Sequence, residues 1–272
     1  AKEEILRITD ALKDELNMYN AIAGGAQPWL FSVEKETETV ELKYTVNSAV
    51  EVESVCLGLE DLDKSTVTFN GKAVSMASTG KYVDDSIDII TLGKLEKGQN
   101  ELIIKRGFGK VSTLEAVYLL GDFGVELKGR TATVTEPVRE LEFGDWTRQG
   151  LPFYGGNVTY KCKIFGEGKE IGLMAPHFKQ PVCAVSVDGE RKGVIAVSPY
   201  TVNLGVLAQG EHDLEITAFG NRFNTFGALH SCDYASAWHG PGAWRTKGNA
   251  FCYEYCIKES GITAAPKIIE YK

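Results

Sequence analysis

Apolar and polar residues alternate with a period of two through much of this chain. Thr39-Val-Glu-Leu-Lys-Tyr-Thr-Val46 alternates cleanly, as does Thr66-Val-Thr-Phe69. A period of two puts one set of side chains on a core face and the other in water, so each run predicts a half-buried strand. Asn100-Glu-Leu-Ile-Ile-Lys105, Asn157-Val-Thr-Tyr-Lys-Cys-Lys-Ile-Phe165, Ala184-Val-Ser-Val187 and His212-Asp-Leu-Glu-Ile-Thr-Ala218 read the same way. Asn70-Gly71 and Asp188-Gly189 follow two of these runs. Such dipeptides accept the left-handed backbone that a tight hairpin requires. Helical spacing is confined to residues 1–22, where Ile5, Leu6, Ile8, Leu12, Leu16 and Tyr19 fall on one face and Gly24, Gly25 and Pro28 end the run. Short strands at this spacing predict an all-β sandwich fold rather than a parallel α/β sheet.

The two halves echo each other. Val67-Thr-Phe-Asn-Gly-Lys-Ala-Val74 matches Val185-Ser-Val-Asp-Gly-Glu-Arg-Lys192, and Leu95-Glu-Lys-Gly-Gln-Asn-Glu-Leu-Ile-Ile104 matches Leu207-Ala-Gln-Gly-Glu-His-Asp-Leu-Glu-Ile216. Internal duplication accounts for this order of strand, tight turn, strand, glycine turn, strand. The expected division is a helix and linker over 1–25, a first sandwich over 26–140 and a second over 141–272, with the charged Glu136–Glu142 stretch as the joint.

With 272 residues, 43% hydrophobic and 24% charged, the chain can bury a core in each half. The net charge of −8 argues against nucleic acid and anionic membranes as partners, since both need a basic face. No apolar run reaches the roughly 18 residues of a membrane-spanning helix. The six cysteines have neither disulfide-framework nor zinc-site spacing. Cys252 and Cys256 fall in Phe251-Cys-Tyr-Glu-Tyr-Cys-Ile257, read as a strand, where four residues separate them by about 13 Å, too far for a bridge. Buried thiols are expected, which favours a reducing, cytoplasmic setting.

Gln149-Gly-Leu-Pro-Phe-Tyr-Gly-Gly-Asn-Val-Thr-Tyr160 resembles the opening strand of the galactose-binding-like jelly-roll domains of bacterial glycoside hydrolases, of the family 2 β-galactosidase or rhamnosidase type. The series from Asp188-Gly189 to Ile216 is similar to that fold too, as are Gly220-Asn-Arg-Phe-Asn-Thr-Phe-Gly-Ala-Leu-His230, Trp238-His-Gly-Pro and Trp244-Arg-Thr. The resemblance implies two tandem jelly-roll sandwiches serving as a C-terminal accessory region. Its partners would be a carbohydrate and the catalytic domain of the parent enzyme. The chain has no room for a catalytic (β/α)₈ barrel, which takes roughly 250 residues.

Residues 220–248 form a long segment rich in Asn, Trp, His and Arg, and long ordered loops are usually functional. A sugar offers a C–H face that stacks on an aromatic ring, and hydroxyls that need donors and acceptors. Trp238 and Trp244 are expected to supply the face; Arg245, His239, Asn221 and Asn224 the hydrogen bonds. Trp146 and Tyr154 are expected at the same end. No catalytic and no metal-ligating residues are assigned. His230-Ser-Cys232-Asp233 lacks the spacing of a zinc site, and Glu115, Asp122, Glu142 and Asp145 form no defined acid–base pair. No cofactor is expected beyond a structural Ca²⁺, for which Val83-Asp-Asp85 and Leu59-Glu-Asp-Leu-Asp63 are candidates. Two other functions fit the same residues: a purely structural module whose aromatic loop docks the catalytic domain, and a small stand-alone carboxylate-dependent glycosidase or lyase.

Overall fold

The structure is a computed structural model that describes residues 3–18, 36–110, 112–233 and 244–271. It is mostly β, 45% strand and 9% helical, with several sheets and one short N-terminal helix. The chain forms two compact units: Ala1–Phe123 with Thr131–Glu136 and Thr246–Tyr253, and Gly124–Arg130 with Pro137–Arg245 and Glu254–Lys272.

The first unit opens with helix α1, Ile5–Glu15, capped by the Glu4 carboxylate, which accepts from the Leu6 and Arg7 N–H groups. Ile5, Ile8 and Leu12 pack against the buried core. The helix is shorter than the periodicity predicts: Asn17 turns left-handed at φ 52, and Leu16 is exposed. Tyr19, Gly24, Gly25 and Pro28 lie outside the described residues. Strands follow as β1 (Glu38–Ser48), β2 (Val52–Leu59), β3 (Ser65–Phe69), β4 (Lys72–Ala73), β5 (Gly80–Tyr82), β6 (Asp84–Leu95), β7 (Gly98–Phe108) and β8 (Tyr118–Leu120). β9 (Gly124–Lys128) belongs to the second unit, β10 (Thr131–Thr135) to the first. One sheet runs β4-β3-β7-β1-β10, with β10 parallel to β1; the other runs β5-β6-β2-β8. Val40 and Leu42 of β1, Leu57 and Leu59 of β2, Ile90 of β6 and Ile104 of β7 share one buried cluster, as the alternation requires of two stacked sheets.

In the second unit, β11 (Val158–Gly166), β16 (Gly210–Ala218), β13 (Cys183–Val187) and β14 (Glu190–Ile195) lie in that spatial order. The other sheet is β15 (Thr201–Val206), β12 (Glu170–Met174) and β17 (Lys267–Glu270). A single helical turn, α2, spans Phe223–Phe226. The strand order repeats that of the first unit. β11 pairs with β16 as β1 does with β7, the β13–β14 hairpin sits beside β16 as β3–β4 does beside β7, and β12 pairs with β15 as β2 does with β6.

Corresponding bonds tie each hairpin turn down. In the first unit Asn70 (φ 47) and Gly71 (φ 75) make the turn; the Asn70 carboxamide donates to Asn100 Oδ1 at 2.8 Å and accepts from the Glu101 N–H. Asn100 in turn donates to the Glu96 carbonyl at 2.7 Å. In the second unit Asp188 (φ 50) and Gly189 (φ 79) make the turn; Asp188 meets His212 Nδ1 at 2.6 Å and accepts from the Asp213 N–H. His212 Nε2 lies 2.9 Å from the Ala208 carbonyl.

The Phe251–Ile257 segment is irregular rather than a strand, and the chain passes within it from the first unit to the second. Its first part is claimed by α1: Arg7 stacks on Phe251 and Tyr253, with its carbon 4.8 Å and 5.4 Å from the ring centres, and the Thr246 hydroxyl donates to Asp10. These contacts override the alternation read from the sequence. No disulfide joins the six cysteines. Cys183 is buried, which pushes its thiol up to about 11; the other five are half-buried.

Candidate functional site

The second unit gathers aromatic and polar side chains where β11 begins and β16 ends. Asp145 starts this region. Its Oδ1 accepts from the Thr147 N–H and hydroxyl and from the Ser260 N–H, fixing a short 3-10 turn over Trp146–Arg148. That turn drives Trp146 into the core, where it is 1% exposed. Tyr154 follows in the same connection and is 43% exposed. The two rings meet edge to face with centroids 6.5 Å apart. The Tyr154 hydroxyl donates to the Asn157 carbonyl at 3.2 Å. Gly156 lies so close that a methyl group there would fall 2.5 Å from the phenol oxygen. The Tyr154 ring is therefore held on an edge, at its tip and from below, while part of it faces solvent.

The segment after β16 packs against this loop. The Asn157 side chain accepts from the Gly220 N–H at 3.0 Å, and the Thr225 hydroxyl donates to the Phe153 carbonyl at 2.9 Å. A Cβ on Gly155 would fall 2.9 Å from the Asn221 carbonyl and 3.1 Å from the Arg222 stem, so only glycine admits this approach. Arg222 and Asn157 are exposed; the Asn157 carbonyl meets the Tyr154 hydroxyl, and the Arg222 stem lies against the adjacent Gly155. Behind them Phe153, Tyr255 and His230 form a run of rings with spacings of 5.2 Å and 5.0 Å.

The residues singled out from the sequence fall in different places. Trp244 is 41% exposed, and Arg245 is exposed. Asn221 is half-buried, with its Oδ1 accepting from the Phe223 N–H. Asn224 is 3% exposed; its amide donates to the Lys258 carbonyl at 2.7 Å and its oxygen accepts from the Lys258 N–H at 3.0 Å. Trp238 and His239 lie outside the described residues. Asn157, Arg222 and the glycines at 155, 156 and 220 stand in the runs that carry the resemblance, but the sequence alone assigns them no role in a site. The signal available was Gly-Gly directly before a strand, which marks close backbone approach.

Among the calcium candidates, Asp84 Oδ1 accepts from the Ser86 N–H and hydroxyl, and Asp61 Oδ2 accepts from Arg106 at 2.6 Å. Among the described residues, no group of three or more His, Cys, Asp or Glu is placed to hold a metal, and no helix is long and apolar enough to cross a membrane.

No family model matches the sequence, and no curated protein matches it. Solved structures similar to the chain include a rhamnosidase from Novosphingobium, with a TM-score of 0.31 and 14% identity over 95% of this chain and 26% of that one. The chain thus spans about a quarter of the rhamnosidase's length. Others are an anti-sigma factor domain-containing protein (TM-score 0.22, 12% identity, 70% and 77% covered) and a lectin from Pleurotus ostreatus in its apo form (TM-score 0.22, 10% identity, 67% and 68% covered). Similarity this distant carries no argument about fold or function.

Proposed function

We propose that the chain is a carbohydrate-binding β module, a non-catalytic accessory region of a larger glycoside hydrolase whose catalytic domain is its partner. The observation that carries the reading is the fixed, half-exposed ring of Tyr154, with Asn157 on its hydroxyl and Asn221 and Arg222 against the adjacent Gly155. A ring whose position is set in advance loses little freedom when a sugar's C–H face stacks on it. The polar groups around it supply donors and acceptors for hydroxyls, and the guanidinium adds a planar fork. Trp244 and Arg245, both exposed in the same unit, extend the binding surface in this reading. The repeated strand order supports two tandem galactose-binding-like jelly rolls as the scaffold.

A broad glycan array, followed by calorimetry on the hits, tests the reading. At least one glycan should bind. Tyr154→Ala should weaken that binding by about tenfold or more, Trp244→Ala should weaken it too, and Tyr154→Phe should retain it, with circular dichroism unchanged. Silence across the array from folded protein would defeat binding and leave the structural role. Turnover of an aryl glycoside by the chain would defeat its non-catalytic part.

A further inference from the structure

The outer face of the β15-β12-β17 sheet carries an arrangement that the Tyr154 site does not use. Paired residues of neighbouring strands share a face, so Asn203, Gly172 and Ile269 form one row across it. Ile171 and Leu173, which flank Gly172 in β12, point the other way into the core. Tyr271 directly follows β17 and donates its N–H to the Glu170 carbonyl at 3.2 Å, so Glu170 and Tyr271 make the next row on the outer face.

Gly172 lies in the interior of a strand, where glycine loses more freedom on folding than any other residue. Its φ is not left-handed, so the backbone does not call for glycine there. What fills the space is the Tyr271 ring: a Cβ on Gly172 would fall 2.6 Å from the phenol oxygen and 2.9 Å from two ring carbons. The ring leans out of its own row and leaves Gly172 buried beneath it, while Tyr271 itself stays 41% exposed. Across from the ring, Asn203 is held at both ends. Its amide donates to Glu170 Oε1 at 2.8 Å, and its Oδ1 accepts from the Gly205 N–H at 2.7 Å. Glu170 and Asn203 are both exposed, and Glu170 Oε2 and the second Asn203 N–H have no partner among the described residues.

We propose that this face is a second sugar-binding surface, where the C–H face of a neutral pyranose rests on Tyr271 and its hydroxyls bond Glu170 and Asn203. It rests on the carbohydrate reading above for its ligand class only; the surface itself stands on Gly172 and the ring set over it. An anionic sugar would meet the Glu170 carboxylate, and an apolar side chain would cover the ring but leave that carboxylate unanswered. A sugar hydroxyl donates to the carboxylate and accepts from the amide, and the carbons of the same ring stack on the phenol. The surface is the side of a sheet rather than a loop-walled pocket, so a chain of sugars can lie along it. A hexasaccharide should therefore bind more tightly than its disaccharide.

The test is an NMR titration of the full nitrogen-labelled chain with cellobiose, cellohexaose, xylohexaose, mannohexaose and rhamnose, and with glycerol as control. It follows the backbone signals of Gly172 and Tyr271 and the Asn203 carboxamide. At least one sugar should move these signals saturably, in the wild type and equally in Tyr154→Ala, while glycerol leaves them in place. Tyr271→Ala and Glu170→Ala should each weaken the response by about tenfold. Tyr271→Phe, which keeps a ring over Gly172, should retain it. Signals unmoved by every sugar, in protein shown folded by circular dichroism, overturn the proposal. So does a response that is equally strong in Tyr271→Ala and Glu170→Ala, or one that glycerol reproduces. Shifts confined to the Tyr154 region overturn this surface and uphold the other site; shifts confined to Gly172, Asn203 and Tyr271 do the reverse.

Discussion

Trp146 and Tyr154 are two aromatic residues of one connection with opposite fates. Trp146 is enclosed, so Trp146→Ala removes a large buried side chain and should cost about 3–5 kcal/mol. Asn224→Ala should cost about 1–3 kcal/mol, because it strands the Lys258 N–H and carbonyl that the carboxamide satisfies. Tyr154→Ala, at a half-exposed ring, should cost clearly less than either. Urea unfolding of the three variants checks the order; an Asn224→Ala change no larger than that of Tyr154→Ala would remove the structural role assigned to Asn224. Sequence alone could not separate these residues. Both aromatics sit among glycines and polar residues before a strand, and nothing local says which ring turns inward. What decides it is the Asp145 carboxylate, which reaches across to the Ser260 N–H and so depends on a segment far along the chain.

The hairpins were legible because two local signals coincide, a period of two and a dipeptide that accepts positive φ. Asn70-Gly71 and Asp188-Gly189 both turn where expected. Arg106 was not legible, because a charged residue breaks the apolar alternation of the run 100–105 although its side chain continues the inward face. The two turn locks also differ in a way that makes a prediction. The first is built from neutral amides. The second becomes an ion pair when His212 is protonated, a form favoured by Asp188 and the Ala208 carbonyl, which both face its ring nitrogens. Asp188 first, and then Ala208, raises the His212 pKa above its ordinary 6.5; His212 holds that of Asp188 below its ordinary 3.8. The His212 share of stability is therefore complete below 6.5 and fades as pH rises through the raised value. The Asp188 share is present above 3.8 and fades as pH falls through the lowered value. Melting temperature should accordingly fall from mildly acidic to alkaline pH through this pair. The double change His212→Asn with Asp188→Asn, which copies the first unit, should flatten that slope. An unchanged slope in the double variant would mean that other groups set the pH dependence.

At the scale of the whole chain, the order of residues and the composition of the units part company. A division at the Glu136–Glu142 stretch assigns everything after it to the second half. Yet Thr246–Tyr253 belongs to the first unit, and it supplies much of what holds α1. Arg7 lies against Phe251 and Tyr253 and donates to the Thr246 carbonyl; Tyr253 donates to Glu3 at 3.2 Å, and Thr246 to Asp10 at 2.7 Å. An 11-residue helix is marginal in water without tertiary contacts, so α1 depends on this late segment as well as on its own apolar face. A fragment ending at residue 140 keeps the β1–β7 pairing but lacks those contacts. Hydrogen exchange should find the α1 amides of that fragment opening far more readily than in the full chain, with the β1 and β7 amides still protected. Equal protection of α1 in both would mean that Ile5, Ile8 and Leu12 suffice to dock it. The Arg7→Ala full-length protein separates the two contributions: it retains the apolar face and loses the guanidinium stack, so its α1 amides should exchange at rates between those of the fragment and the intact chain.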